Sequence, residues 1–168
     1  MKNLEVKILD NGFGLPLPKY ETEGAAGLDL FAAIEENKTL LIPPSKAEMI
    51  PTGIAISVPH GYEAQIRPRS GLAAKNGITV LNSPGTIDSD YRGEILVMLI
   101  NHSKKDFEIL RGMRIAQMVI SKIEQFNLIS VDELDSTERG KDGFGSTGTS
   151  IRKNEEYFCR KIFKSFNS

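Results

Sequence analysis

The sequence is poor in cysteine, since Cys159 is its only one, and it contains no tryptophan. One cysteine cannot form an intrachain disulfide or a thiolate metal site, so a disulfide scaffold is excluded and a reducing, cytoplasmic setting is expected. No apolar run is long enough to cross a bilayer, and residues 1–10 lack the uninterrupted apolar segment of a signal peptide. These shortages predict a protein with no membrane partner.

Neither sign of charge predominates, because 21 Lys and Arg face 22 Asp and Glu, for a formal net charge of −1. Binding to nucleic acid requires clustered basic residues. The balance therefore predicts no nucleic-acid partner, while it leaves room for a local basic pocket that binds a small anion. A chain of 168 residues suits one domain with a real core.

Short pieces of apolar alternation predict half-buried strands. The alternating residues are Leu4, Val6 and Ile8; Ile54, Ile56 and Val58; and Tyr62, Ala64 and Ile66. Residues 95–100 are wholly apolar, which predicts a strand buried on both faces and a candidate subunit interface. No segment before residue 150 has convincing helical periodicity. The predicted fold class is therefore all-β, a sandwich or barrel of short strands.

The composition divides the chain into a β core over residues 1–135, an arm over 136–148 and a tail over 149–168. The arm is polar and glycine-rich, which predicts a flexible segment. In the tail, Phe158 and Ile162 begin a series at spacing four that predicts a short amphipathic helix.

Two segments early in the chain carry candidate site residues. Residues 25–30 contain Asp29 and, taken alone, suit an ordinary turn. In the second segment, Arg69, Ser70 and Gly71 follow a predicted strand. A guanidinium, a hydroxyl and a free N–H at one turn suit a phosphate, although a surface turn with a solvated arginine fits equally well.

The third segment, residues 82–94, begins Asn-Ser-Pro-Gly, which predicts a hairpin. On a strand, Asp88 and Asp90 would face the same side, beside Tyr91. This pattern favours a general base and a ring that packs on a ligand. The alternative is a polar strand edge.

The fourth and fifth segments are residues 111–118 and 139–148. Arg114 and Gln117 have opposite strand parity, so they cannot share a face of a regular strand. The fifth segment has four glycines, two hydroxyls and Phe144. Its N–H groups and hydroxyls can surround a phosphate while the phenyl ring stacks on a base. A linker would explain the glycines but not the lone phenylalanine.

Together, in this order and spacing, the five segments resemble the five motifs of the homotrimeric dUTPase family, over residues 4–148. The resemblance implies a jelly-roll-like β fold and a homotrimer with three shared active sites. It also implies Mg²⁺-dependent hydrolysis of dUTP to dUMP and pyrophosphate. Such an activity limits uracil incorporation into DNA and supplies dUMP for thymidylate synthesis.

The resemblance also implies a role for each residue. Asp88 corresponds to the general base for water attack at the α-phosphorus. The loop from Asn82 to Ile87 would bind uracil and Tyr91 would pack under deoxyribose. The implied phosphate contacts are Arg69, Ser70, Gly71 and Gln117. The implied uracil and nucleotide contacts are Asn82, Gly85, Thr86, Ile87 and Leu96. The implied arm residues are Arg139, Phe144, Gly145, Ser146 and Thr147. Asp29 would hold metal-bound water or neighbouring groups, with magnesium held by phosphate oxygens and water.

Two features depart from the family pattern, namely Pro68 within the second motif and the tail after residue 148. Two other functions stay open at this point. A dCTP deaminase, or a bifunctional deaminase and dUTPase, has a related fold, but the glycine-rich fifth segment favours the simple dUTPase. A non-catalytic binding module on the same fold is disfavoured because Asp88 and the arm residues are present.

Overall fold

A computed structural model describes residues 3–142, and in them the predicted all-β class is confirmed. The strands are β1 (Glu5–Ile8), β2 (Leu28–Phe31), β3 (Leu40–Ile42), β4 (Ala47–Pro51), β5 (Ile54–Ser57), β6 (Tyr62–Arg67), β7 (Ile78–Val80), β8 (Gly85–Ile87), β9 (Leu96–Asn101), β10 (Phe107–Ile109) and β11 (Arg114–Lys122). One short α-helix, α1 (Ser70–Asn76), and a 3₁₀ turn (Asp10–Gly12) complete the regular structure of this part of the chain.

The strands form four antiparallel sheets. Two sheets are pairs, β1-β5 and β10-β3, and a third has the order β4-β9-β7. The largest sheet, with the order β2-β11-β6-β8, positions the candidate site. Within it, Gln117 of β11 lies opposite Asp29 of β2 and opposite Arg67 of β6. This register brings the first, second and fourth sequence segments together.

A single buried cluster joins all four sheets. It draws on alternate residues of the strands, because successive side chains of a strand point to opposite faces. Its members include Leu30, Ile42, Ile50, Ile54, Ile66, Val80, Val97, Leu99, Ile109 and Met118. The predicted strands at residues 54–58 and 62–66 contribute to it as expected. In β1, however, all four residues are exposed in the single chain, so half-burial was wrong for this strand.

Strand β9 differs from its prediction. Val97, Leu99 and Asn101 are buried, but Leu96 is 43% exposed, and Met98 and Ile100 are only partly buried. The strand is thus covered on one face, as is usual in antiparallel sheets. Its other face is apolar and lies uncovered in the single chain.

Helix α1 was not predicted. The second sequence segment, which contains Arg69, Ser70 and Gly71, begins this helix after the end of β6. Two alanines favour the helix. Gly77 ends it with φ at +66° and donates its N–H to the carbonyl of Ala73. No residue of α1 is buried, so the helix has no apolar stripe for a periodicity analysis to detect.

The predicted hairpin at Asn82 was also wrong. Strands β7 and β8 flank the turn but do not pair with each other: β7 pairs with β9, and β8 pairs with β6. The turn carries the chain from the three-stranded sheet to the four-stranded sheet. Proline and glycine predict that a turn forms, but the partner of each strand depends on the core.

The chain divides into two units, Met1–Phe126 and Asn127–Ser168. In the second unit, the described residues 127–142 contain no helix or strand. The domain boundaries expected after residues 135 and 148 stay predictions, and the tail lies outside the described residues. Across residues 3–142, no helix has the length and apolarity needed to span a membrane.

Candidate active site

A groove of about 410 Å³ opens beside the four-stranded sheet and α1. Its lining residues are Asp29, Arg69, Ser70, Gly71, Leu72, Lys75, Asn76 and Gln117. All four implied phosphate contacts (Arg69, Ser70, Gly71 and Gln117) therefore lie in one groove, together with Asp29. The lining combines two cations with a hydroxyl and two carboxamides, a set that suits an anion, and its one acid, Asp29, is paired with arginine.

At one end of the groove, the Asp29 carboxylate joins two arginines. Its Oδ1 is 3.0 Å from Arg69 Nε, and its Oδ2 is 3.0 Å from Arg114 Nη1. Arg69 Nη1 also donates a hydrogen bond of 3.1 Å to the carbonyl oxygen of Arg114. Both oxygens of Asp29 are therefore occupied, and the Arg69 guanidinium is fixed on one side.

A β-bulge explains why Arg114 reaches this site. In the pairing of β2 with β11, Arg114 lies opposite Phe31 and Ala116 lies opposite Leu30, so Ile115 is an extra residue. A bulge of one residue reverses the parity of the strand beyond it. Arg114 and Gln117 consequently face the same side, whereas the regular-strand argument had separated them.

Gln117 is held at the back of the groove. Its Nε2 donates a hydrogen bond of 3.0 Å to the carbonyl oxygen of Pro68. A Cβ on Gly27 would collide with the Gln117 side chain, so glycine at this position leaves the carboxamide its space. Pro68 therefore serves as an acceptor that orients a groove residue.

Asp88 lies in a turn and not on a strand, which corrects the expectation that Asp88 and Asp90 share a strand face. β8 ends at Ile87, and the Tyr91 N–H donates to the Asp88 carbonyl at 3.2 Å. Arg92 Nη1 donates to the Ser89 and Tyr91 carbonyls at 2.7 Å each. Asp88 is exposed, and its carboxylate has no hydrogen bond or ion pair to any described residue.

Within one chain, Asp88 lies beside the start of β6, whereas Arg69 lies beyond its end. Ile87 pairs with Ala64, so Asp88 follows beside Glu63, while Arg69 lies six residues beyond Glu63. At about 3.3 Å per residue of extended chain, roughly 20 Å separates Asp88 from Arg69. A single chain does not bring its Asp88 to its own groove.

The candidates of the predicted uracil loop and Leu96 do not line the groove. Asn82 and Thr86 are exposed beside the buried Gly85, and Leu96 is exposed at the start of β9. In the second unit, Arg139 Nε donates to the Asp142 carbonyl at 2.9 Å. Phe144, Gly145, Ser146 and Thr147 lie outside the described residues.

Sequence reasoning missed two cations of the site. Arg114 was set aside on strand parity, and Lys75 lines the groove from α1, which was not predicted. Lys75 follows Gly71 by four residues, a spacing that shares a helix face, so the signal would have been readable had the helix been recognised.

The site offers no protein ligand set for a metal ion. Among residues 3–142, no three His, Cys, Asp or Glu side chains are grouped so that they could hold one. Asp29 is the acid of the groove, and both its oxygens already bind arginine. A cation here would have to be held by a bound anion and water.

Known proteins are similar to this chain in both sequence and fold. A model of the dUTPase family matches residues 14–148. The deoxyuridine 5'-triphosphate nucleotidohydrolase of Rhizobium rhizogenes is 60% identical over 140 residues, which cover 83% of this chain and 90% of that protein. That of Neorickettsia sennetsu is 57% identical over 148 residues, which cover 88% and 98%.

A solved structure agrees with these relatives. The Staphylococcus bacteriophage 80alpha dUTPase with dUpNHpp superposes with a TM-score of 0.78 at 29% identity, covering 89% of this chain and all of that chain. The protein therefore has the all-β, jelly-roll-like fold of a class of nucleotide hydrolases. The chain belongs to the dUTPase family.

Proposed function

We propose that this protein hydrolyses dUTP to dUMP and pyrophosphate, which would limit uracil in DNA and supply dUMP for thymidylate synthesis. The observation that carries the proposal is the groove with Arg69, Ser70, Gly71 and Gln117 in a chain that is 60% identical to a deoxyuridine 5'-triphosphate nucleotidohydrolase. Its single cysteine fits action in the cytoplasm.

Asp88 is the general base in this proposal. It orients a water molecule against the α-phosphorus and accepts its proton as the bond to pyrophosphate breaks. Its carboxylate binds no described residue and is exposed, so it is available to a water molecule. Hydrogen bonds from Arg92 hold the turn that carries Asp88. The fixed position of the Asp88 carboxylate therefore contributes part of the rate of hydrolysis.

The phosphate chain binds in the groove. Arg69 offsets its negative charge, and Ser70, the Gly71 N–H and Gln117 donate hydrogen bonds to its oxygens. A Cβ on Gly71 would meet no atom within 4 Å, so the surface above this residue is open to a ligand. The phosphate oxygens and water would hold magnesium, whose charge would reduce the repulsion between the phosphates and a nucleophile.

The nucleoside is read by the loop beyond β7. Backbone groups from Asn82 through Gly85, Thr86 and Ile87 match the hydrogen-bonding edge of uracil and reject cytosine, because mismatched buried polar groups would be left unpaired. Tyr91 packs under deoxyribose and excludes a 2′-hydroxyl. Leu96 adds an apolar contact, and Asp29 holds the neighbouring arginines.

The active unit is a homotrimer with shared sites. Its support is the separation of roughly 20 Å between Asp88 and Arg69 within one chain, which calls for a second chain to complete the site. The uncovered apolar face of β9 supports association as well. In the second unit, Leu128 is 98% exposed, and other large apolar residues near it are also exposed. Surfaces of this kind mark protein interfaces.

The arm completes the site in this proposal. Arg139, Ser146 and Thr147 bind phosphate oxygens, Gly145 allows close approach of the backbone, and Phe144 stacks on uracil. Closure of the arm excludes bulk water from the reacting phosphate.

Pyrophosphate release from dUTP, dTTP, dCTP and UTP tests the proposal. We expect release from dUTP with Mg²⁺ and little from the other three. Ammonia release from dCTP would identify a deaminase instead. Protein that releases pyrophosphate from none of them would be a binding module, and equal turnover of dUTP and dCTP would contradict the proposed specificity.

A further inference from the structure

The Arg114 side chain contacts the groove lining through Asp29. Its guanidinium Nη1 lies 3.0 Å from Asp29 Oδ2, and the Asp29 side chain is 14% exposed while that of Arg114 is 45% exposed. Arg114 is absent from the groove lining, whereas Asp29 is part of it. The Arg114 guanidinium therefore binds a lining residue without itself lining the groove.

Asp29 in turn fixes Arg69. The carboxylate accepts from Arg69 Nε at 3.0 Å, and the Arg114 carbonyl accepts from Arg69 Nη1 at 3.1 Å. A guanidinium has five N–H groups. Two of them are used in these contacts, and no described residue accepts from Nη2 of Arg69. The two bonded N–H groups fix the plane of the Arg69 guanidinium and thus determine where its free N–H groups point.

We propose that Arg114 is a positioning residue for phosphate binding: it holds Asp29, and Asp29 aims the free N–H groups of Arg69 into the groove. The inference rests on the proposed function in that the bound phosphate chain is taken to be that of dUTP. The β-bulge at Ile115 is the feature that makes the relay, since it turns Arg114 to this face.

A single exposed ion pair contributes little. Here, however, Arg114 is the second cation on a carboxylate that is largely buried. Without it, Oδ2 loses its partner, and Asp29 gains freedom to rotate about its side-chain bonds. Because Arg69 Nε is bonded to the same carboxylate, its guanidinium loses its fixed orientation as well.

A double-mutant cycle on the full chain tests the relay. The four proteins are wild type, Arg114→Ala, Asp29→Ala and the double variant, and the measurements are the Kd of inorganic tripolyphosphate and the KM and kcat for dUTP. We expect each single change to weaken tripolyphosphate binding about tenfold, or about 1.4 kcal/mol. The double variant should bind no more weakly than Asp29→Ala, because Arg114 acts through Asp29.

Two further variants distinguish a positioning role of Arg114 from a general effect of positive charge and from an effect on folding. Lys122→Ala removes a cation from the far end of β11 and should leave Kd and KM unchanged. Arg114→Lys can still donate to Oδ2 and should recover most of the affinity. Arg114→Ala could also melt at a lower temperature than wild type. Positioning is then still distinguished from unfolding if Arg114→Lys recovers the affinity and if Arg114→Ala changes KM but not kcat.

Additive effects of Arg114→Ala and Asp29→Ala would overturn the inference, because Arg114 would then act on the anion directly. It would also be overturned by an Arg114→Ala protein with wild-type affinity, or by wild type that does not bind tripolyphosphate. Failure to hydrolyse dUTP is a separate result. It would refute the proposed function, while the tripolyphosphate cycle would still decide the relay.

Discussion

The ring of Tyr91 lies against the backbone of Gly93, where a Cβ would stand 2.6 Å from the ring carbon Cζ. The Tyr91 hydroxyl donates to the Glu94 carbonyl at 3.0 Å. The Glu94 carboxylate in turn accepts from Asn11 Nδ2 at 2.8 Å and from the Gly53 N–H at 2.7 Å. The ring that is proposed to pack under the sugar is therefore set by backbone contacts.

Gly93→Ala should displace this ring. The added methyl group cannot share its space with Tyr91, so the sugar would lose its packing surface and a 2′-hydroxyl would gain room. We expect the ratio of kcat/KM for dUTP to that for UTP to fall on the order of tenfold. Steady-state kinetics with the two nucleotides measures this ratio.

Two variants act as controls for that experiment. Gly24→Ala adds a methyl group where no atom lies within 4 Å and should change nothing. Tyr91→Phe keeps the ring and loses only the hydroxyl, so most discrimination should remain. An unchanged ratio in Gly93→Ala would mean that Tyr91 does not read the sugar.

Asp88→Asn should abolish most turnover and spare binding. The carboxamide keeps the size of the side chain but cannot accept a proton from water. Loss of a general base typically costs about 10²–10⁴-fold in rate. We expect this loss in kcat, with the Kd of dUpNHpp near that of wild type. A kcat close to wild type would exclude Asp88 as the base, and Asp90→Asn is the matched control.

The uncovered apolar face of the sheet that contains β9 predicts where subunits meet. Met49 of β4 pairs with Met98 of β9 and is 58% exposed in the single chain. Met49→Glu should therefore fold but associate poorly, since a buried unpaired charge is costly at an interface. Light scattering should give a trimer for wild type and for Met49→Leu, and smaller species for Met49→Glu. A trimer of full stability from Met49→Glu would place the interface elsewhere.

Removing the arm should separate activity from folding. A chain that ends at Glu138 should melt near the wild-type temperature but lose almost all turnover, because the arm holds one large apolar residue and adds little to the core. A chain that ends at Gly148 should stay active. Phe144→Ala should raise KM, as base stacking contributes roughly 1–3 kcal/mol. Full turnover from the Glu138 chain would refute the arm's role.

Period-two alternation predicted the strands well where the core covers one face, as at Ala64 and Ile66, since burial itself produces the pattern. It did not reveal α1, which buries no residue. It also could not reveal which strands pair, so Asn82 was placed in a hairpin, whereas its turn links two sheets.

For the site, the residue types near Arg69 suited a phosphate and a surface turn equally well, and the structure adds that Arg69, Ser70 and Gly71 line one groove. The contribution of Arg114 was not predictable, because one inserted residue reverses strand parity and bulges leave no reliable mark in composition. The separation of Asp88 from Arg69 likewise depends on the pairing of β6 with β8, which is a long-range property.

Complementation between two inactive variants tests the shared active site most directly. Asp88→Asn and Arg69→Ala, each inactive alone, are produced together and their pyrophosphate release from dUTP is measured. If Asp88 and Arg69 of one site come from different chains, random mixing in a trimer should restore activity at about a quarter of the sites. If both residues of a site came from the same chain, no mixed trimer would contain an intact site, and the mixture would remain as inactive as its components.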